Sequence, residues 1–160
     1  MDAKRFLVAI AVALSMAMGA TVQLAASKKD NGLSGAWQYS AGGAPGTDLP
    51  PFIGLMAFMR DGVMIESTQG EVNAPTATPG YGAWAKTGPR TYATTFLHIW
   101  YRPDNSVIGI LKVHQTITLD ETGMEFDGTG AFAVTDPDGN VIFSGQAMSH
   151  GMRITVESAE

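Results

Sequence analysis

Three histidines, His98, His114 and His150, are the side chains best suited to acid–base work near neutral pH. An imidazole there can polarise a ligand or carry a proton, and equally it can sit in a wall as a hydrogen-bonded core group. The three are spread along the chain with no carboxylate phased beside them, so no metal centre is expected. Cysteine is absent, which excludes disulfides and thiolate ligands. Ser149 and His150 are chain neighbours and point to opposite faces of any strand, and no Gly-x-Ser-x-Gly turn exists, so a serine nucleophile is not expected. Gly128-x-Gly130 opens no helix and is no phosphate loop. Glu66 and Asp136 would form a carboxylate pair only if distant strands converged; surface placement is the simpler reading of both. The aromatic set Trp84, Tyr92, Phe96, Trp100 and Phe126 suits a flat apolar ligand, and suits equally well the filling of a core.

The elements that must position these groups are strands. From Gly35 onward no long stretch shows helical spacing of apolar residues, and Gly or Pro interrupts often. Short β-branched and aromatic runs predict strands near Gly35–Ala41, Ile53–Arg60, Val63–Thr68, Tyr81–Lys86, Arg90–Tyr101, Val107–Leu119, Met124–Asp136 and Asn140–Val156. Turn signals separate them at Asp61-Gly62, Thr87-Gly88-Pro89, Pro103-Asp104-Asn105, Thr122-Gly123 and Pro137-Asp138-Gly139. About eight sequential strands joined by hairpins make a meander, which removes its edges by closing. The predicted fold is all-β, a closed antiparallel up-and-down barrel. Eight strands leave an interior that side chains fill or that holds one small ligand.

Hairpin parity assigns the faces. Thr95, Lys112, His114, Thr116, Thr118, Glu125, Asp127, Thr129 and Thr135 fall on one side, which is therefore the outer one. Tyr92, Phe96, Trp100, Leu111, Val113, Ile117, Phe126, Phe132, Val134 and Ile142 fall on the other. The Pro137–Gly139 turn pairs Asp136 with Asn140, and continuing that register sends Gln146 and His150 inward too. The expected interior thus holds four polar groups, His98, Gln115, Gln146 and His150, more than a packed core tolerates without partners. Tyr92, Gln115, Gln146 and His150 are expected to bound a cavity beside Trp84 and Phe126, with room made by Gly128 and Gly130.

Composition narrows the classes of function. Only 16% of residues are charged, with 19 Gly and 8 Pro, which fits a turn-rich β protein. The net charge is −5 and the basic residues are scattered, so nucleic acid is not an expected partner. Lys4 and Arg5 precede an apolar run from Phe6 to Ala20, followed by small residues at Ala25 and Ala26. That layout predicts an export signal over 1–26, a linker over 27–34 and one barrel domain over 35–160, secreted or periplasmic, with no membrane contact once the signal is cut. A retained anchor is the competing reading of the apolar run.

Gly35-Ala36-Trp37 resembles the Gly-x-Trp first strand of lipocalins and their calycin relatives. The stretches "GYGAWAKTGPRTYATTF", "QTITLDETGMEFDGTG" and "DPDGNVIFSG" add a resemblance to small secreted bacterial lipocalin-like proteins of unassigned function. The resemblance implies that Arg153 packs on Trp37 to close one barrel end. A more distant likeness, in architecture alone, is to allene-oxide-cyclase-like barrels, some of which cyclise small apolar intermediates. The first functional expectation is a barrel binding a small hydrophobic molecule through Trp84, Tyr92, Phe96, His98, Trp100, Gln115, Phe126, Gln146 and His150, with no cofactor. The second is a cyclase or isomerase in which His150 or Tyr92 moves a proton. The third is a packed barrel that serves structure or interaction. Oligomeric state is left open.

Overall fold

A computed structural model describes residues 32–44, 50–68 and 76–157. Nine strands run as β1 (Gly35–Gly43), β2 (Phe52–Phe58), β3 (Val63–Thr68), β4 (Thr76–Ala77), β5 (Gly80–Lys86), β6 (Thr91–Tyr101), β7 (Val107–Leu119), β8 (Glu125–Thr135) and β9 (Val141–Arg153). With β4 set aside, each strand pairs antiparallel with the next in sequence, β3 with β5 included, and β9 returns to β1, so the sheet closes. The two-residue β4 adds only to the far end of β6, at Trp100 and Tyr101. The architecture is a closed, lipocalin-like, up-and-down barrel, with no helix among the described residues. The expected export signal and most of the linker lie outside the described residues.

Turn chemistry fixes the hairpins. Asp120 accepts hydrogen bonds from the backbone N–H groups of Thr122, Met124 and Glu125, and Asp136 accepts from those of Asp138 and Asn140. Gly62, Gly123 and Gly139 take positive φ, at 89°, 70° and 91°, where a side chain would be strained. These short loops set the pairing of the residues next to each turn.

The barrel has one sealed end. There Leu33, Trp37, Phe58, Tyr92, Leu119 and Phe126 are buried together. The Trp37 indole N–H donates to the Leu33 carbonyl at 2.9 Å, so the last residues of the expected linker fold back as a plug. The Arg153 guanidinium lies 4.2 Å from the Trp37 ring and donates to the carbonyls of Gly32, Ser34 and Gly123.

The inner face matches the expectation on β6, β7 and β8 and departs from it on β9. Asp136 does pair with Asn140 across the turn, its N–H donating to the Asn140 carbonyl at 2.9 Å. Thr135 then pairs with Val141 but Val134 pairs with Phe143, leaving Ile142 as one extra residue in β9. A single inserted residue turns every later side chain to the opposite face. Gln146 and His150 therefore point outward and are exposed, while Gly145, Ala147, Ser149 and Gly151 line the inside. Ile142, expected inside, is 52% exposed.

Candidate functional site

The interior carries a polar group that the sequence reading left on the surface. Glu66 of β3 is 1% exposed, and its carboxylate is held from both sides. The Tyr39 hydroxyl of β1 donates to Oε1, and the His98 imidazole of β6 places Nε2 2.9 Å from Oε2. His98 Nδ1 lies 2.8 Å from the Thr78 carbonyl, which can only accept, so Nδ1 carries a proton.

Two glycines make this reach possible. β2 separates Tyr39 from Glu66, and a Cβ on its Gly54 would stand 2.5 Å from the Tyr39 ring. β5 separates Glu66 from His98, and a Cβ on its Gly80 would stand 2.7 Å from His98 Nε2. The tyrosine and the histidine thus lie flat across bare backbone and meet at one carboxylate spanning β1 to β6.

The electrostatics follow from that geometry. Burial alone lowers the His98 pKa, but the hydrogen bond to Glu66, the Thr78 carbonyl and the carboxylate's charge together hold it above its ordinary value. Burial, then the charge and hydrogen bond of Glu66, push the Tyr39 hydroxyl far above its usual range. Both imidazole nitrogens are engaged, so His98 has no free lone pair or proton for a substrate. The trio is a floor, fixed by its own bonds.

A second polar level lies beside it. Thr94 of β6 is directly opposite Gln115 of β7, and the Ser149 hydroxyl of β9 lies 3.2 Å from Gln115 Oε1. Gly128 and Gly130 of β8 lie under this bridge: the space they vacate is taken by Ser149 and Gln115, not left as lumen. Two buried atoms here, Thr94 Oγ1 and Gln115 Nε2, have no hydrogen-bond partner within the protein. Burying such groups unpaired costs about 1–3 kcal/mol each.

Above the floor the barrel opens. Ala41, Phe52, Val113, Gln115, Phe132, Ala147 and Ser149 all point inward yet keep partial exposure. A side chain inside a closed sheet meets solvent only through the mouth, so these residues line a recess open at the end away from Trp37. Trp100 belongs to the same rim, inward and partly exposed.

The expected site residues divide accordingly. Phe96, His98, Trp100 and Gln115 lie at or above the floor, with the Phe96 and His98 rings 5.5 Å apart. Trp84, Tyr92 and Phe126 lie below it and pack the sealed end. Trp84 donates to the Met59 carbonyl at 2.8 Å and packs against Phe58 and Tyr92, at 6.1 and 5.8 Å. Phe126 crosses Gly151 to meet Trp37 at 5.2 Å. Gln146 and His150 are not in the interior at all, and His150 pairs at the surface with Asp127, 3.0 Å away. The cavity expected between Tyr92, Gln115, Gln146 and His150 is therefore not formed. For the same reason neither His150, outside, nor Tyr92, sealed, can move a proton on a molecule in the recess. A depression of about 750 Å³ does touch Tyr92, but from outside the sealed end, between Arg60, Arg90, Asp120 and Arg153. Asp136 sits in its turn, far from Glu66. No group of three or more potential metal-ligating side chains occurs among the described residues.

Sequence reasoning missed Tyr39, Glu66, Thr94 and Ser149. Thr94 was legible, since it shares the phase of Tyr92 and Phe96. Tyr39 likewise shares the phase of Trp37. Glu66 was not: in Val63–Thr68 both phases begin apolar, and only the partners across β2 and β5 reveal which side is inside.

The fold and floor define a lipocalin-like barrel with one plugged and one open end. No protein-family model matches the chain, and no curated protein matches it in sequence. Among solved structures it is similar to one titled as EF1p2_mFAP2b bound to DFHBI, at 19% identity and a TM-score of 0.55, covering 76% of this chain and 94% of that one. At that identity the likeness is one of fold.

Proposed function

We propose that the protein is an exported barrel that takes up a small, mostly apolar molecule through its open end. One observation carries the reading: Leu33, Trp37 and Phe126 are fully covered at one end, while inward-facing Ala41, Phe52, Val113, Gln115 and Ser149 keep solvent exposure towards the other. A barrel meant only to be packed would fill both halves, because exposed apolar walls gain nothing in water. The recess walls are apolar and aromatic, with Phe52, Trp100, Val113 and Phe132, and a few polar groups converge at the floor, as in small-molecule sites generally. Export is supported by the charged start, apolar middle and small residues of the leader. The resemblance to small secreted lipocalin-like proteins, and a similar fold described with DFHBI bound, point the same way.

Native mass spectrometry of protein purified from its own host tests this. A co-purifying small molecule is expected, and Ala41→Phe, which fills the recess at its rim, should abolish it while leaving the β spectrum intact. Wild-type protein that carries no such molecule, and that leaves the emission of Nile red unchanged, would overturn the reading in favour of a packed barrel.

A further inference from the structure

Beside the floor, where Glu66 Oε2 has the His98 imidazole as its ion-pair partner, two further buried polar atoms have nothing to bond. Thr94 is 2% exposed, and its hydroxyl oxygen has no partner; the Gln115 amide nitrogen directly across from it has none either. One hydrogen bond orients the Gln115 amide. Ser149 is bonded to its amide oxygen at 3.2 Å, and the strand pair β6–β7 fixes the backbone on both sides. Native proteins rarely keep two adjacent buried polar groups unsatisfied unless something else supplies the partner.

We infer that Thr94 and Gln115 form a two-donor site for the carbonyl oxygen of a neutral, apolar ligand. The inference rests on the proposed uptake of a small molecule through the open end, and it names that molecule's chemistry. Donor count and charge both favour a carbonyl. Gln115 Nε2 can only donate, and a hydroxyl can donate to the same atom; a carbonyl oxygen has two lone pairs for two such donors. A carboxylate fits worse. Among the described residues no Lys or Arg reaches the floor from the inner face, Arg153 being committed to the sealed end, and His98 has both nitrogens in use. An anion would therefore lose its hydration without a counter-charge, close to the buried Glu66. The apolar part of the ligand would extend up the recess, past Phe96 towards Trp100 and Phe132.

Two probes of nearly equal shape test this: 2-acetylnaphthalene, which carries the carbonyl, and 2-ethylnaphthalene, which does not. Titration calorimetry with the wild-type protein should show the ketone bound about tenfold more tightly, the worth of one to two net hydrogen bonds. The double variant Thr94→Val with Gln115→Leu should bring the two probes within about twofold, by raising the hydrocarbon's affinity and lowering the ketone's. If that variant does not fold, two milder ones decide the matter. Thr94→Ser keeps the hydroxyl and should keep the preference. Gln115→Met removes the donor at nearly equal length and should abolish it. Wild-type protein that binds both probes equally would overturn the carbonyl site, leaving the two groups to a resident water, while the proposed uptake would stand. Wild-type protein that binds neither would sink the uptake reading, and this site with it.

Discussion

At the scale of single residues, the arrangement around Glu66 shows how a carboxylate survives inside a β-barrel. A buried charge without partners is prohibitively costly, and breaking a buried pair by removing one member costs about 3–5 kcal/mol. Here the tyrosine hydroxyl and the imidazole supply the partners, and neither could reach if Gly54 or Gly80 bore a side chain. The raised pKa of His98 makes the arrangement sensitive to pH. The folded state holds the imidazole proton more tightly than the unfolded chain does. The stability so gained is fully present below the ordinary histidine value of 6.5, and is lost as pH rises through the higher folded value. Urea denaturation of wild type and His98→Gln across that range should show the wild-type advantage greatest below pH 6.5 and shrinking steadily above it. A constant difference would mean that folding leaves the imidazole's proton affinity unchanged, and an advantage that grows with pH would mean that it is buried neutral.

At the scale of elements, β9 shows what one residue does to a strand. The turn at Pro137–Gly139 forms as its residues dictate, and pairing is regular as far as Val141. The extra residue at Ile142 then reverses the alternation for the rest of the strand. This places the small residues Gly145, Ala147, Ser149 and Gly151 against the bulky inner side chains of β8, such as Phe132 over Gly145 and Phe126 over Gly151. The opposite register would drive Gln146, Met148, His150 and Met152 into rings that already fill the space. Because the chain has no cysteine, the assignment can be read directly by single substitutions and maleimide labelling. Gln146→Cys and His150→Cys should label fast, and Ser149→Cys markedly more slowly. The reverse order would restore the unbulged register and remove Ser149 from the floor.

At the scale of the whole molecule, the two barrel ends have different work. The sealed end concentrates the large apolar side chains, and Arg153 ties the incoming chain to the outgoing strand through Trp37 and the carbonyls of Gly32, Ser34 and Gly123. Arg153→Ala should lower stability by about 1–3 kcal/mol, from the lost stacking and hydrogen bonds. The exposed Lys112→Ala should stay within about 0.5 kcal/mol. Arg153→Lys should fall between, since an ammonium cannot stack and reach three carbonyls together. Equal melting temperatures for the Arg153→Ala and Lys112→Ala proteins would show that the plug is held by Leu33 and Trp37 alone.

By itself the sequence determined the strands, the hairpins and the closure of the sheet. These depend on local chemistry: β-branched runs at period two, and Asp and Gly at turns that admit few conformations. It also placed Tyr92, Phe96, His98, Gln115 and Phe126 on the inner face, because apolar and polar residues alternate along β6, β7 and β8, although β6 and β7 shift register between Trp100 and Tyr101. What only the tertiary structure decided is everything that depends on distant strands meeting. The bulge at Ile142 has no turn signal, since it is stabilised by how β9 packs on β8 and not by its own residues. Glu66 became an interior group because Gly54 and Gly80, on strands remote from each other in the chain, leave room for Tyr39 and His98 to reach it. The level at which packing stops and the recess begins was set the same way. Alternation tells which side of a strand faces in, but only the closed barrel determines which inward side chains touch each other and which face an open mouth.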